Sequence, residues 1–530
     1  EIIKSAKLKQ SGIARDVINT LPTRENDKSE AILSAAPPAE DYGPDIPDDE
    51  EGRFFGGGVT QEENEILNYI DEQTSTEVVP EKFDLHWLRK KALKFEKCIT
   101  KNAELRAKFE DEPQKFMNCE ADLHAEIKAL GILCEHPELY GEIVKLGCLG
   151  SLVTLLTHEN TDIVIDVVEI INELTDENVE AEQSQWNEIV DSMIEADLLN
   201  LLASNLKRFN EDIETERNGV YYLLSILENL ASVPSLAERI GEKTTILSWL
   251  VDRIRKNELP INQNRQYAAE VLAILLQSSS HNAMIFCEMD GTNIFLELLA
   301  HYRRRDPLKG TEEEEFFENL FDALTCVVNT TEGKAKFVEA EGVELCLIMI
   351  REGKMSKSRA LRLLDHSMSS LNGKEICERL IEAGGLKTIF GMFMKRQDSS
   401  NTEHLLGIFS SLLRLLPADS AHRIRTLAKF VEKDYEKIYK LIELRKDYAL
   451  RVSKVDNKIQ EEKQKISPDN QQTRADEWLS SRLDAGLFCL HSIDVLLAWL
   501  VAEDDGASQK VKELLAQRDE TLGVLSESLN

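Results

Sequence analysis

Three carboxylates, Asp166, Glu169 and Glu173, stand three and four residues apart within one apolar run. That spacing places all three on a single helical face. Further acids follow in later runs of the same kind, Glu228, Glu270, Asp322 and Asp365, with Asn172, Asn229 and Asn329 beside the series. A row of carboxylates meets the ammonium and guanidinium heads of a Lys/Arg-rich segment, and neighbouring Asn amides can hold that segment's backbone. The plainer alternative is a set of solvated polar positions. An exposed ion pair contributes only about 0.2–1 kcal/mol, so such a ladder needs several pairs at once. Its affinity must then fall as salt rises.

Covalent and metal chemistry find no comparable pattern. The chain has no His-Glu-x-x-His, Gly-x-Ser-x-Gly, phosphate-loop or dinucleotide signature. His124, Cys134 and His136 lie close together without four-ligand spacing. Paired acids are abundant in so acidic a chain and mark solvated faces more than acid–base dyads. An enzyme, a metal site and a bound cofactor are therefore not expected. Nine cysteines, scattered without a Cys-x-x-Cys, read as free thiols of a reducing compartment.

The charge balance narrows the partners. Across 530 residues, 63 basic side chains face 96 acidic ones, a net charge of -33. That sign disfavours direct binding of nucleic acid, which depends on neutralising phosphates. It favours basic partners, drawn in at long range. No apolar run reaches the length of a bilayer span. The best, 487–502, carries His491 and Asp494 and reads as a core helix. No signal peptide is in view, and the chain starts at Glu1.

The elements that must position the ladder repeat along the chain. A turn around Gly147, Asp197, Gly241, Gly291, Gly342 and Gly385 recurs at intervals of 50, 44, 50, 51 and 43 residues, each ahead of two apolar helices. Self-similarity near this period in an all-helical chain marks an armadillo or HEAT solenoid. One unit cannot bury its own apolar face, so neighbours must stack. In the clearest unit a short helix ends at Leu146, and Leu149, Leu152, Val153, Leu155 and Leu156 form the second. Asp162 opens the third, with Ile163, Val164, Val167, Val168, Ile171 and Leu174 at helical spacing. Its ending, Ile171-Asn172-Glu173-Leu174, returns as Leu227-Glu228-Asn229-Leu230, and such endings resemble armadillo repeats in particular. That resemblance implies third helices lining a concave groove, where the acids and asparagines above would gather.

The expected fold is all-α, an armadillo/HEAT-type α-solenoid with helical caps at both ends. Residues 1–60 read as a disordered acidic segment, with seven acids between Glu40 and Glu51. Residues 61–140 read as an N-terminal helical cap, 141–417 as about six repeats, and 418–530 as a C-terminal helical region. The insertion 303–315 is expected to lengthen a surface loop. A C-terminal cap is the first reading of the last region, and a homodimerisation element is the alternative.

Several segments carry a closer resemblance: Phe83-Asp-Leu-His-Trp87-Leu, the acidic stretch 48–58 ending in Gly56-Gly57-Gly58, and Asn172-Glu-Leu-Thr-Asp176. With the chain as a whole, they resemble the beta-catenin-like family of nuclear armadillo proteins. The resemblance implies a nuclear protein of the pre-mRNA splicing machinery, in the complex around the cell division cycle 5-like protein. It also implies binding to nuclear localisation signals of splicing factors and to activation-induced cytidine deaminase, hence a link to antibody diversification. The repeats are similar as well to those of importin alpha and the catenins, which supply two alternatives, a carrier of basic cargo and a signalling adaptor. Importin alpha reads basic signals through Trp-x-x-x-Asn pairs. Here Val168, Ser225 and Thr325 stand four residues before Asn172, Asn229 and Asn329. Beta-catenin presents a basic groove, and this chain is acidic.

Overall fold

The computed structural model describes residues 83–465, 471 and 474–527. The expected acidic segment 1–60, and residues 61–82 of the expected cap, lie outside them. Among the described residues every regular element is helical. They form two compact units, one of 83–450 with 487–527 and one of 451–486.

The larger unit opens with α1 (Leu85–Lys108), capped by the Asp84 carboxylate, which accepts from the backbone N–H groups of His86 and Trp87. Helix α2 (Met117–Ala129) packs beside it, and the 3-10 helix Leu130–Glu135 follows. Six helix triplets come next. The first is α3 (Tyr140–Lys145), α4 (Cys148–Thr154) and α5 (Thr161–Thr175). The second is α6 (Gln183–Glu195), α7 (Leu198–Arg208) and α8 (Glu214–Ala231), and the third α9 (Pro234–Lys243), α10 (Ile246–Arg255) and α11 (Gln263–Ser278). The fourth is α12 (Ser280–Glu288), α13 (Gly291–Ala300) and α14 (Glu312–Val327). The fifth is α15 (Thr331–Glu339), α16 (Gly342–Glu352) and α17 (Met355–Met368), and the sixth α18 (Lys374–Glu382), α19 (Gly385–Phe393) and α20 (Ser399–Leu415).

The third helix of each triplet packs on the third helix of the next, from α5 through α20. At the front, α2 packs on α5 and so extends this layer by one helix. Helix α5 shows why the sequence folds this way. Asn160 caps its N-terminus by accepting from Asp162 N–H at 3.0 Å, and the Asp162 charge favours the positive helix end. Ile163, Val164, Val167, Val168, Ile171 and Leu174 are all buried, and each removes its apolar surface from water.

Five of the six turns between first and second helices pass through left-handed backbone, built in two ways. Gly147 and Gly384 take left-handed backbone at φ 75° and 74°, where glycine carries no Cβ penalty. In the other turns of this type an acid sits there instead: Asp197 (φ 66°), Asp290 (φ 58°) and Glu341 (φ 55°). Gly291 and Gly342, read from the sequence as turn residues, are the first residues of their helices. A Cβ on either would lie 2.4 Å and 2.3 Å from the buried rings of Phe286 and Phe337. Gly241 departs further from the expected turn, because it lies inside α9, where a Cβ would meet Asn282 Oδ1 at 1.9 Å. The break falls at Thr244 and Thr245, with Thr244 Oγ1 accepting from Ile246 N–H at 3.1 Å.

The insertion 303–315 is a loop only in part. Glu312, Glu313, Glu314 and Glu315 form the first turn of α14, where four carboxylates meet the positive end of the helix. Helix α21 (Ala421–Lys463) is interrupted at Glu432, Lys433, Asp434 and Tyr435. The apolar helix α23 (Leu487–Glu503) packs on α20. Its Asp494 is fully buried and accepts from Arg445 Nε at 2.6 Å, a charge tolerated there because it is paired. Helices α24 (Asp505–Ala516) and α25 (Gly523–Glu527) complete the larger unit. In the smaller one, Trp478 of α22 (Ala475–Asp484) donates to Glu462 Oε2 at 3.0 Å and Arg482 pairs with Asp456 at 2.8 Å. All nine cysteines are free thiols, six of them buried.

Candidate functional site

The acids of α5 face α2. His124 and Lys128 are four residues apart on α2 and so share a face. The Asp166 carboxylate takes the His124 ring nitrogen Nδ1 and, at 3.3 Å, the Lys128 ammonium. Glu169 accepts from the same Lys128 Nζ. Burial alone would lower the Lys128 pKa, but Glu169 and Asp166 together hold it above its ordinary value.

Glu173 stands apart. No ion pair or hydrogen bond holds its side chain among the described residues. Partial burial and the adjacent Glu169 charge push its carboxyl up, against the opposing pull of Lys128. Its Oε2 lies so near the 3-10 helix that a Cβ on Gly131 would be 3.0 Å away. Beside it in sequence, Asn172 Oδ1 is buried with no hydrogen-bond partner among the described residues. An unmatched buried acceptor costs about 1–3 kcal/mol. Tyr222 of α8 lies within the same field, its hydroxyl pushed up by burial and by the charges of Glu169 and Glu173.

Farther along the layer the acids are bound to neighbours within the chain. Glu228 on α8 accepts from the Tyr267 hydroxyl of α11, and Glu270 from Gln266 Nε2 at 2.9 Å. Asp322 on α14 pairs with Arg362 of α17, and Asp365 on α17 with His404 Nδ1 of α20 at 3.0 Å. Gly407 permits the last approach, since a Cβ there would sit 2.3 Å from Asp365 Oδ1. Asn229 Nδ2 donates to Thr175 Oγ1 at 3.2 Å, joining α8 to α5. Asn329 is exposed in the turn after α14, with its N–H on Cys326 O.

The structure therefore brings Asp166, Glu169, Asn172 and Glu173 together on one helix and distributes the other six over four further steps. It adds Lys128 and His124, the latter considered from the sequence only as part of a metal trio, together with Tyr222, Arg362 and His404, which the sequence reading did not single out. A signal for the first two existed: His124 and Lys128 repeat the four-residue spacing in the helix before the first unit. The His124–Cys134–His136 trio disperses to separate partners. His136 turns to Glu138 at 3.0 Å, and the Cys134 thiol is pushed up to about 12 by burial and by the Glu173 and Asp176 charges. Among the described residues no group of three or more such side chains could hold a metal ion.

A stack of three-helix units with its third helices in one continuous layer defines an armadillo-repeat protein. Residues 64–530 match the family described as "Catenin-beta-like, Arm-motif containing nuclear", and the chain belongs to that family. It is 38% identical over 483 residues to the "Beta-catenin-like protein 1 homolog" of Schizosaccharomyces pombe, covering 91% of this chain and 84% of that protein. It is 35% identical over 452 residues to "Beta-catenin-like protein 1" of Homo sapiens, covering 83% of this chain and 80% of that one. Among solved structures it is similar to an engineered protein at TM-score 0.49 and 15% identity, over 77% of this chain and 94% of that one.

Proposed function

We propose that this chain is a non-enzymatic nuclear scaffold that binds basic, nuclear-localisation-signal-like segments of proteins of the pre-mRNA splicing machinery. The cell division cycle 5-like protein and activation-induced cytidine deaminase are the partners this reading names. One observation carries it: among the described residues the exposed Glu173 carboxylate on the third-helix layer has no ion-pair partner. A carboxylate accepts, so what completes it is a donor, and a Lys or Arg head group is the donor that also answers the local charge. The net charge of -33 adds long-range attraction for such a segment. The family's description as nuclear supports the compartment.

The carrier reading finds no support in the layer. Val168, standing where an importin-type Trp would be needed, is fully buried in the core, and Thr325 is buried too. A catenin-like adaptor would instead bind acidic tails, which the acids of α5 repel.

The test is binding of a labelled Lys/Arg-rich peptide to the full chain carrying Glu169→Lys with Glu173→Lys. Loss of about tenfold in affinity is expected, from the lost Glu173 pair and the repulsion of two new cations. The same reversal at the exposed Glu242 and Glu312 should cost less than twofold. Equal losses from both pairs would leave only bulk charge and remove the site.

A further inference from the structure

Lys128 holds the position that a ligand's head group would take. Its Nζ bridges Asp166 at 3.3 Å and Glu169, two of the three acids on the α5 face. The Asp166 carboxylate is 9% exposed, so it depends on the partners it already has, His124 and Lys128. Glu169 is 30% exposed and Lys128 38%, so their contact lies within reach of solvent and of a competing cation. Of the three, Glu173, one turn farther along α5, has no ion pair among the described residues.

We infer that Lys128 is a built-in competitor for the peptide's basic residues, occupying the Asp166–Glu169 pair and confining an incoming head group to Glu173. This rests on the basic-segment reading above and adds the residue that sets its selectivity. A second head group can gain Glu169 only by displacing Lys128, so adjacent basic residues contribute less than their charge suggests. Neutralising Lys128 exposes a second anionic position, and a peptide with consecutive Lys/Arg residues then gains an additional contact.

The experiment is fluorescence anisotropy of a labelled peptide of four consecutive Lys/Arg residues against the full chain and its variants. Lys128→Met is expected to tighten binding about fivefold, the upper end of what one such pair supplies. Lys128→Arg, which keeps the cation, should bind within about twofold of the wild type, and Glu169→Gln should abolish the gain from Lys128→Met. Thermal melts accompany each variant. If Lys128→Met fails to fold, Lys128→Gln keeps a donor for Asp166 and is expected to give the same gain. Wild-type binding that is salt-sensitive, with Lys128→Met or Lys128→Gln binding equally or more weakly, overturns the inference and leaves the groove reading intact. Absence of binding by wild type and variants alike overturns both, whereas binding by the neutralised variants alone supports the inference.

Discussion

At the scale of single residues, the informative side chains are the buried cations as much as the acids. Lys334 on α15 is 3% exposed and donates to Ser367 O at 2.7 Å and His366 O at 3.3 Å, closing the carbonyl end of α17. Burial pushes its ammonium down from the ordinary 10.5 to about 8. Between those two values the unfolded chain binds a proton that the folded chain does not, so stability contributed at this site rises as pH climbs through that window. Below about 8 both states carry the charge and the full burial cost applies. Urea titrations at pH 8 and pH 10 should therefore show wild type gaining stability relative to Lys334→Met; a difference that stays constant with pH contradicts a depressed lysine. The sequence displayed the shared face of Asp166, Glu169 and Glu173, because helical spacing alone decides that. It did not display their partners. Lys128 and Arg362 reach their acids across about forty residues of chain, and the pairing depends on the register between stacked helices. No spacing rule within one helix supplies that register.

At the scale of elements, helix order and type were legible because apolar periodicity is strong in third helices such as α5. Turn positions were less so, because glycine serves two purposes in this chain. At Gly147 and Gly384 it supplies left-handed backbone, and at Gly291 and Gly342 it makes room for a phenyl ring of the preceding helix. At Gly241 the same need for space, opposite Asn282, puts a glycine inside a helix and moves the apparent turn by several residues. The two purposes separate on substitution. Gly291→Ala drives a Cβ into the buried Phe286 ring and should destabilise by about 1–3 kcal/mol. Gly150→Ala, with nothing within 4 Å, should be neutral or stabilise by up to about 1 kcal/mol. Chemical denaturation of both variants checks this, and equal effects would contradict the close-contact role of Gly291.

At the scale of the whole molecule, the acidic balance and the third-helix layer point to the same kind of partner, yet they contribute differently. The net charge of -33 acts at long range and draws any cation. On the proposed reading selection comes from the layer, where Asp322, Asp365 and Glu228 hold helices together and Glu173 has no ion pair among the described residues. Composition revealed the first contribution. The second needed the geometry, since an acid that cements two helices and an acid left unpaired look identical in sequence. The measurement that tests the central claim most directly is binding of the full chain to a labelled Lys/Arg-rich signal peptide across a salt series. A peptide of the same composition, with its basic residues dispersed, runs alongside. Affinity that falls with salt and favours the signal peptide is the predicted result. Equal binding of the two peptides, or none of either, would contradict a third-helix layer that reads basic segments.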